Sequence, residues 1–355
     1  MDFSWFLCSI EYFQQNFLIS DRYNYLLSDK LVHLGVKWEN DILGLDELKP
    51  VYVRLFEKKD KLVKARPLPA SALNRIKEDI TVEWTYNSNS IEGNTLSLRE
   101  TKMVLQEGIT IKGKSLREHF EVHNHEKAID YLYTLVSCKC TLRSIDILSL
   151  HGLVMRSIED EFAGRLRNGG VRIVGANFTP PNAQKVPDLL DELIDYINTN
   201  PDSLNTIQLA AVFHHRFVWI HPFFDGNGRT VRLAMNLLLM KEGLPPAIIL
   251  KNDRSKYYEA LNQANNGSYK KISLLMCQAL ERTLNIYLNA MPGSGEDYEL
   301  ISNLVEDEKI PYGQEYISLL ARQGKIDAYK EGRNWYTKKS AVENYMQGRK
   351  RIRKK

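Results

Sequence analysis

Apolar positions recur at three- and four-residue spacing through most of the chain, and that spacing predicts helices. Beginning at Ser71, a helical pattern runs through Leu73, Ile76, Ile80, Val82 and Trp84 and stops at Gly93-Asn94. Ser97 with Glu100, and Ser115 with Glu118, are capping-box pairs, each ahead of an apolar run. The second run, through Phe120, Ala128, Ile129, Tyr131 and Leu132, predicts an amphipathic helix. Further helices are expected at 144–155, 186–200, 203–220, 255–267 and 271–291. Ala210-Ala211-Val212-Phe213 and Phe217-Val218-Trp219-Ile220 place a buried helix just before His221, and residues 233–240 predict another after it. Two stretches break this texture. Residues 164–187 alternate around Asn168-Gly169-Gly170 and leave through Pro180-Pro181, which predicts a β-hairpin with an extended exit. Within residues 1–70, LVHLGVKW and VYVRLFEKKDKLVKA suggest strands, closed by Pro67 and Pro69.

The chain has 355 residues, 43% hydrophobic and 26% charged, enough for a sizeable core and two or three domains. Net charge is +4, but Arg349, Lys350, Arg351, Arg353, Lys354 and Lys355 supply six positives; subtracting them leaves −2. The body is therefore not a basic surface that coats nucleic acid, and the tail is either a solvated end or a contact for an acidic surface. Cys138 and Cys140 are too close for the usual zinc spacing, and with Cys8 and Cys277 they form no disulfide framework. That count fits a reducing cytoplasm. The apolar start is broken by Glu11, Gln14, Gln15 and Asn16 and has no basic lead, so neither a signal peptide nor a membrane span is expected.

Residues 221–232, HPFFDGNGRTVR, concentrate the chemistry. Gly226 and Gly228 flank Asn227, so the backbone turns tightly and offers its N–H groups where a helix begins. Orphan amides and the positive end of the helix dipole make an anion site suited to phosphate. Arg229 and Arg232 are three apart, on one helix face, and can grip further phosphates. Asp225 is a hard oxygen ligand of the kind Mg²⁺ takes. His221 alone in the loop has an ordinary pKa suited to proton abstraction near neutrality. The combination points to phosphoryl or nucleotidyl transfer. A core helix with its His and Arg satisfied internally is the alternative.

The stretch resembles the signature of Fic (Fido) domain proteins, HPFx(D/E)GNGRxxR, with every specified position filled. The resemblance covers residues 70–292 and implies a mainly α fold, a helical core with a β-hairpin flap. It implies a protein adenylyltransferase: ATP with Mg²⁺ in the cradle, Asp225 on the metal, and His221 as base for a Ser, Thr or Tyr hydroxyl of a target protein. Gly226, Asn227, Gly228, Arg229, Thr230, Val231 and Arg232 then border the phosphates. Val174, Gly175, Ala176 and Asn177 border the nucleotide from the flap, which clamps the target by strand addition. Tyr257, Tyr258 and Asn265 match positions lining the adenine and ribose pocket, although two helix tyrosines also suit plain packing. His214 and His215 are read as packing residues. Doc-like relatives, which transfer phosphate, carry lysine where this chain has Gly228. SNSIEGN resembles the family's inhibitory motif, (S/T)xxxE(G/N), with Ser88, Glu92 and Gly93 as its regulatory residues. By resemblance Glu92 pairs with Arg232 and keeps the γ-phosphate from seating; it also suggests a second activity, removal of AMP with Glu92 aligning a water.

Residues 291–297 read as a linker. Beyond them a helix, a hairpin across Glu331-Gly332-Arg333 and a helix resemble the small α+β winged helix-turn-helix modules of excisionase and MerR-like proteins. Residues 296–355 hold 13 basic and 10 acidic residues, and without the tail 7 and 10, so DNA binding is not favoured over protein binding. The expected division is 1–70 as an extension of unknown role, 71–110 the inhibitory region, 111–292 the catalytic core, 293–346 the winged module and 347–355 the basic tail. The rival reading is a DNA-binding regulator with a nucleotide-sensing or inactive core. The target protein and the oligomeric state, a homodimer among the alternatives, are not legible.

Overall fold

The computed structural model describes residues 45–65, 70–138, 140–173, 176, 178–291, 297–307 and 310–353. Ten helices precede residue 290 among them: α1 (Leu45–Lys64), α2 (Ala70–Ile91), α3 (Leu98–Glu107), α4 (Leu116–Ser137), α5 (Ser144–Met155), α6 (Val186–Thr199), α7 (Thr206–Ile220), α8 (Asn227–Lys241), α9 (Arg254–Asn265) and α10 (Lys270–Asn289). All but α3 contribute to one apolar core that extends from Leu48 to Leu288. Helix α3 closes a satellite cluster of Leu96, Val104 and Val122. The fold is mainly α.

At its centre lie α7 and α8. From Arg229 to Met240 every residue of α8 is buried, as a helix enclosed by others requires. Its one mid-helix amide, Asn236, exchanges two hydrogen bonds with the backbone of Ala247, so the buried polar group is satisfied. Asn205 caps α7 and Gln208 completes its capping box. Both predicted serine capping boxes form as well, on α3 and α4.

Two sequence expectations are corrected, and a third falls partly outside the described residues. The stretch VYVRLFEKKDKLVK is helix α1, not strand: its buried Leu48, Val51, Tyr52, Leu55 and Leu62 keep helical spacing and pack on α10. The valines and tyrosine favour strands locally, but this apolar stripe overrides that propensity. LVHLGVKW lies outside the described residues. Between 164 and 182 the described residues carry no strand, and the carbonyls of Gly169 and Pro181 accept from Arg167; Val174, Gly175 and Asn177, within the expected hairpin, lie outside the described residues. Cys138 and Cys140, expected to belong to no disulfide framework, are joined in a disulfide; Cys277 is free and buried.

A second core holds Ile301, Leu304, Ile310, Ile317, Leu320 and Val342. It is built from β1 (Glu299–Leu300), α11 (Ile301–Leu304), α12 (Gln314–Arg322), β2 (Ala328–Glu331), β3 (Asn334–Thr337) and α13 (Lys339–Arg353). The strands form an antiparallel sheet in the order β1-β3-β2, and Glu331 pairs with Asn334 across a two-residue turn. Gly332 takes φ 58° there, as such a turn demands. The basic run expected as a free tail continues α13 as far as Arg353.

This unit is fastened to α1 and α10 by buried charge. Lys58 Nζ lies 2.9 Å from Glu281 and 2.5 Å from Asp327, and Arg54 Nε lies 2.6 Å from Glu281. Burial opposes the Asp327 charge, but Lys58 and Lys338 prevail and hold its pKa well below the ordinary value. No described helix is long and apolar enough to cross a membrane.

Candidate active site

The loop between α7 and α8 carries the predicted chemistry. His221 caps α7 in the left-handed conformation, φ 51° and ψ 62°, its N–H bonded to the Phe217 carbonyl at 2.9 Å. A histidine held there is strained, and such strain persists where surroundings over-determine it. Its Nδ1 faces the Val218 carbonyl at 3.4 Å, so Nδ1 carries the proton and Nε2 is the free base. Burial, with Arg167 nearby, lowers its pKa to about 4, against the pull of the Val218 carbonyl, Glu92 and Asp225. At neutral pH the ring is uncharged and ready to accept a proton.

Gly226 caps α8 with φ 72°; a Cβ there would lie 2.8 Å from Met155 Sδ. Asn227 has a second duty. Its side-chain amide closes on Phe223, accepting from the N–H at 3.0 Å and donating to the carbonyl at 2.8 Å, so only its backbone is left for an anion. Thr230 and Val231, also placed on the nucleotide, turn their side chains wholly into the core. Arg229 is buried against Glu121 (3.3 Å) and Asp225 (3.6 Å). The Asp225 side chain is 42% exposed; Oδ1 accepts from the Gly226 N–H at 2.6 Å, and Arg117 Nη2 lies 2.6 Å from Oδ2. Among the described residues no cluster of three or more His, Cys, Asp or Glu could hold a metal. A lone carboxylate still fits Mg²⁺, which takes one or two protein carboxylates and completes its shell with phosphate oxygens and water.

Over this loop lies the end of α2. Glu92 Oε1 is 2.8 Å from Arg232 Nη1. Ser88 supports the same guanidinium twice, through Oγ to Nε (3.1 Å) and through its carbonyl to Nη2 (2.8 Å). Gly93, at φ 108°, turns the chain away immediately after the glutamate. Burial opposes the charge on Arg232, and Glu92 restores it, raising the pKa above its ordinary value. A Cβ on Gly228 would sit 2.1 Å from Glu92 Oε1, so the carboxylate rests directly on the glycine.

The predicted base-pocket residues divide. Tyr257 is buried beneath Arg232 with its hydroxyl 2.8 Å from His214 Nε2, which makes it a support rather than an open stacking face. Asn265 Oδ1 is 2.8 Å from His215 Nε2. Tyr258 is exposed, with Arg254 stacked 4.8 Å from its ring centroid. His214 and His215 are fully buried, as read from the sequence. Val174, Gly175 and Asn177 lie outside the described residues; Ala176 donates its N–H to the Ile173 carbonyl at 3.3 Å.

Three residues that sequence reasoning missed hold the loop in shape. Arg167 is buried and donates to the carbonyls of His221 (2.7 Å), Gly169 (2.9 Å), Pro181 (2.6 Å) and Ile220 (3.3 Å), welding 165–182 to the signature. His151 accepts from the Gly164 N–H at Nδ1 (2.9 Å), so its Nε2–H donates to the Asp225 carbonyl (3.0 Å), and its ring stacks on Phe223 at 3.6 Å. Glu121 takes both Arg117 and Arg229 and also accepts from Asn94. Only the GRLR and SLHGL contexts hinted at Arg167 and His151, and neither names a role.

Comparison with known proteins agrees with this geometry. The family model described as the Fic/DOC family matches residues 141–239. A protein of Nematostella vectensis named protein adenylyltransferase Fic is 35% identical over 264 residues, 73% of this chain and 61% of its own length. The chain thus spans less than two thirds of that relative. The solved structure of Fic-1 (residues 134–508) from C. elegans is 32% identical, with a TM-score of 0.62, over 68% of this chain and 72% of that one. A Fic domain containing signaling protein from Bacteroides thetaiotaomicron is 26% identical, with a TM-score of 0.61, over 70% of this chain and 99% of its own. A fold shared so fully with relatives that keep this sequence identity leaves one assignment: the chain belongs to the Fic/DOC family.

Proposed function

We propose that the chain is a protein adenylyltransferase that moves AMP from ATP to a hydroxyl of a target protein and is restrained by Glu92. The observation that carries this reading is the meeting of His221, the α8 N-terminus and the Glu92–Arg232 pair over one glycine. The amides of the first turn of α8 take the phosphates nearest the sugar, helped by the helix dipole. Arg229 and Arg232 orient the outer ones. The target hydroxyl gives its proton to His221 Nε2 as its oxygen attacks the α-phosphorus. The bond from that phosphorus to the bridging oxygen breaks, and pyrophosphate leaves. Catalysis is then mainly positioning and electrostatics, with the base adding roughly 10²–10⁴-fold. Asp225 is the residue that would hold Mg²⁺, which supplies charge neutralisation between the phosphates when bound.

Glycine at 228 supports AMP transfer over phosphate transfer, because the lysine of Doc-like relatives has no room under Glu92. Target docking along 165–182 suits a segment whose described residues carry no strand ladder of their own. DNA recognition is not supported: the exposed residues of α12 are Gln314, Glu315, Leu319 and Arg322, one acid against one base. Incubation with α-labelled ATP and Mg²⁺ tests the proposal. Label is expected on Glu92→Gly above wild type, and none on the Glu92→Gly/His221→Ala double variant. Equal labelling with and without His221 overturns it.

A further inference from the structure

A short 3₁₀ turn (Lys251–Asp253) and the start of α9 form a corner that touches both the inhibitory helix and the C-terminal unit. The Lys251 N–H donates to Asn87 Oδ1 at 2.8 Å, and its ammonium lies 5.5 Å from the Tyr86 ring centroid. Arg254 Nε donates to the Ile91 carbonyl at 2.8 Å. Ile91 is the last residue of α2, so its carbonyl has no partner within the helix, and a cation there is also favoured by the dipole. Glu92 is the next residue. Its own turn is closed by short-range bonds, Glu92 N–H to Asn89, Gly93 N–H to Ser90 and Asn94 N–H to Asn89, at 3.0, 3.2 and 3.1 Å, and beyond it the Asn94 amide reaches Glu118 and Glu121 on α4. Asn94 thus anchors the side of the turn after Glu92, and what holds the last carbonyl of α2 anchors the side before it.

The corner is gripped from its other side by the C-terminal unit. Lys330 Nζ, on β2, lies 2.6 Å from Asp253 Oδ1, with only 13% and 10% of the two side chains exposed. The competing cation, Lys256, is 3.1 Å away and half exposed. Contacts thus run in series from Lys330 to Asp253, from the adjoining Arg254 to Ile91, and from Glu92 to Arg232.

We propose that Arg254 is a positioning residue for the inhibitory glutamate, and that Lys330 sets the strength of the restraint by fixing the corner that carries Arg254. Its catalytic readout rests on the transferase reading; its structural readout does not. The test uses the full chain with Arg254→Ala, Lys330→Ala and Lys330→Arg, the two alanine variants also combined with Glu92→Gly. Hydrogen exchange is followed in residues 86–94, and incorporation of α-labelled ATP in parallel.

Faster exchange is expected in Arg254→Ala and Lys330→Ala. Labelling rises roughly three- to tenfold for Arg254→Ala, the loss of one charge-assisted hydrogen bond. It rises roughly two- to threefold for Lys330→Ala and stays near wild type for Lys330→Arg. Neither alanine variant raises labelling once Glu92 is glycine, whereas a merely structural defect lowers it in both backgrounds. Unchanged exchange, or a gain that is equal with and without Glu92, overturns the proposal. Should Glu92→Gly itself take no label, the transferase reading falls and exchange alone decides: faster upholds the positioning role, unchanged rejects it.

Discussion

Replacing Glu92 with glycine removes the only carboxylate among the described residues within ion-pair distance of the Arg232 guanidinium, whose side chain is 3% exposed. Breaking a fully buried pair costs about 3–5 kcal/mol, because the remaining charge is left without compensation. Glu92 is 33% exposed, so water reaches one side of the pair, and Ser88 still accepts two hydrogen bonds from the arginine. The expected cost falls to about 1–3 kcal/mol. For a unit of this size each kcal/mol moves the melting temperature by about 2–4 °C. Without nucleotide, Glu92→Gly should therefore melt several degrees below wild type. ATP reverses the order. It supplies the missing anion, and at a hundredfold excess over Kd it stabilises by about 2.7 kcal/mol. Wild type gains less, because Glu92 must first be displaced. Thermal melts in a His221→Ala background, which prevents turnover, read both effects. If the variant melts no lower than wild type without ATP, and ATP raises both equally, Glu92 and the outer phosphate do not share Arg232.

Burial lowers the pKa of His125 to about 3, His151 to about 4, His215 to about 3 and His221 to about 4. Unfolding lets each bind a proton below its ordinary 6.5, so their contribution is complete above about pH 6.5 and lost as pH falls towards 4, by up to about 1.4 kcal/mol per pH unit each. A melting temperature flat between pH 7 and 4.5 contradicts this. Arg167→Ala leaves the carbonyls of His221, Gly169 and Pro181 without their donor, a loss of about 3 kcal/mol by differential scanning calorimetry. Arg167→Lys should recover little of it, since an ammonium cannot fork to three carbonyls; full recovery argues against the clamp.

What the sequence makes legible is what local chemistry decides. The two serine capping boxes, the bounds Ser144–Met155 of α5 and the glycine turn at His221–Arg232 follow from residues a few positions apart. Misreadings occur where distant residues decide. VYVR is β-prone by type, and only its seat on α10 makes it helix. His151, Glu121 and Arg167 act entirely through tertiary contacts, so no spacing reveals them. Asn227 lies in the signature and Tyr257 matches a family position at the base pocket; no spacing shows that the Asn227 side chain also closes the loop on Phe223 or that Tyr257 packs beneath Arg232.

Gly228 answers two demands at one point in space. The phosphate cradle needs bare backbone there, and the inhibitory carboxylate needs the same volume, since an added Cβ would lie 2.1 Å from Glu92 Oε1 and 3.1 Å from Arg232 Nη1. On the proposed reading, inhibitor and outer phosphate compete for one guanidinium over one glycine. A restraint of that kind is a coupling free energy, and 1–3 kcal/mol of it corresponds to roughly 5–150-fold in activity. That range is also a ceiling. Loosening the corner at Arg254 or Lys330 only lets Glu92 leave more often; it adds no new contact to the substrate. No change in the C-terminal unit can then drive labelling past the level of Glu92→Gly, and one that does must act on the cradle directly.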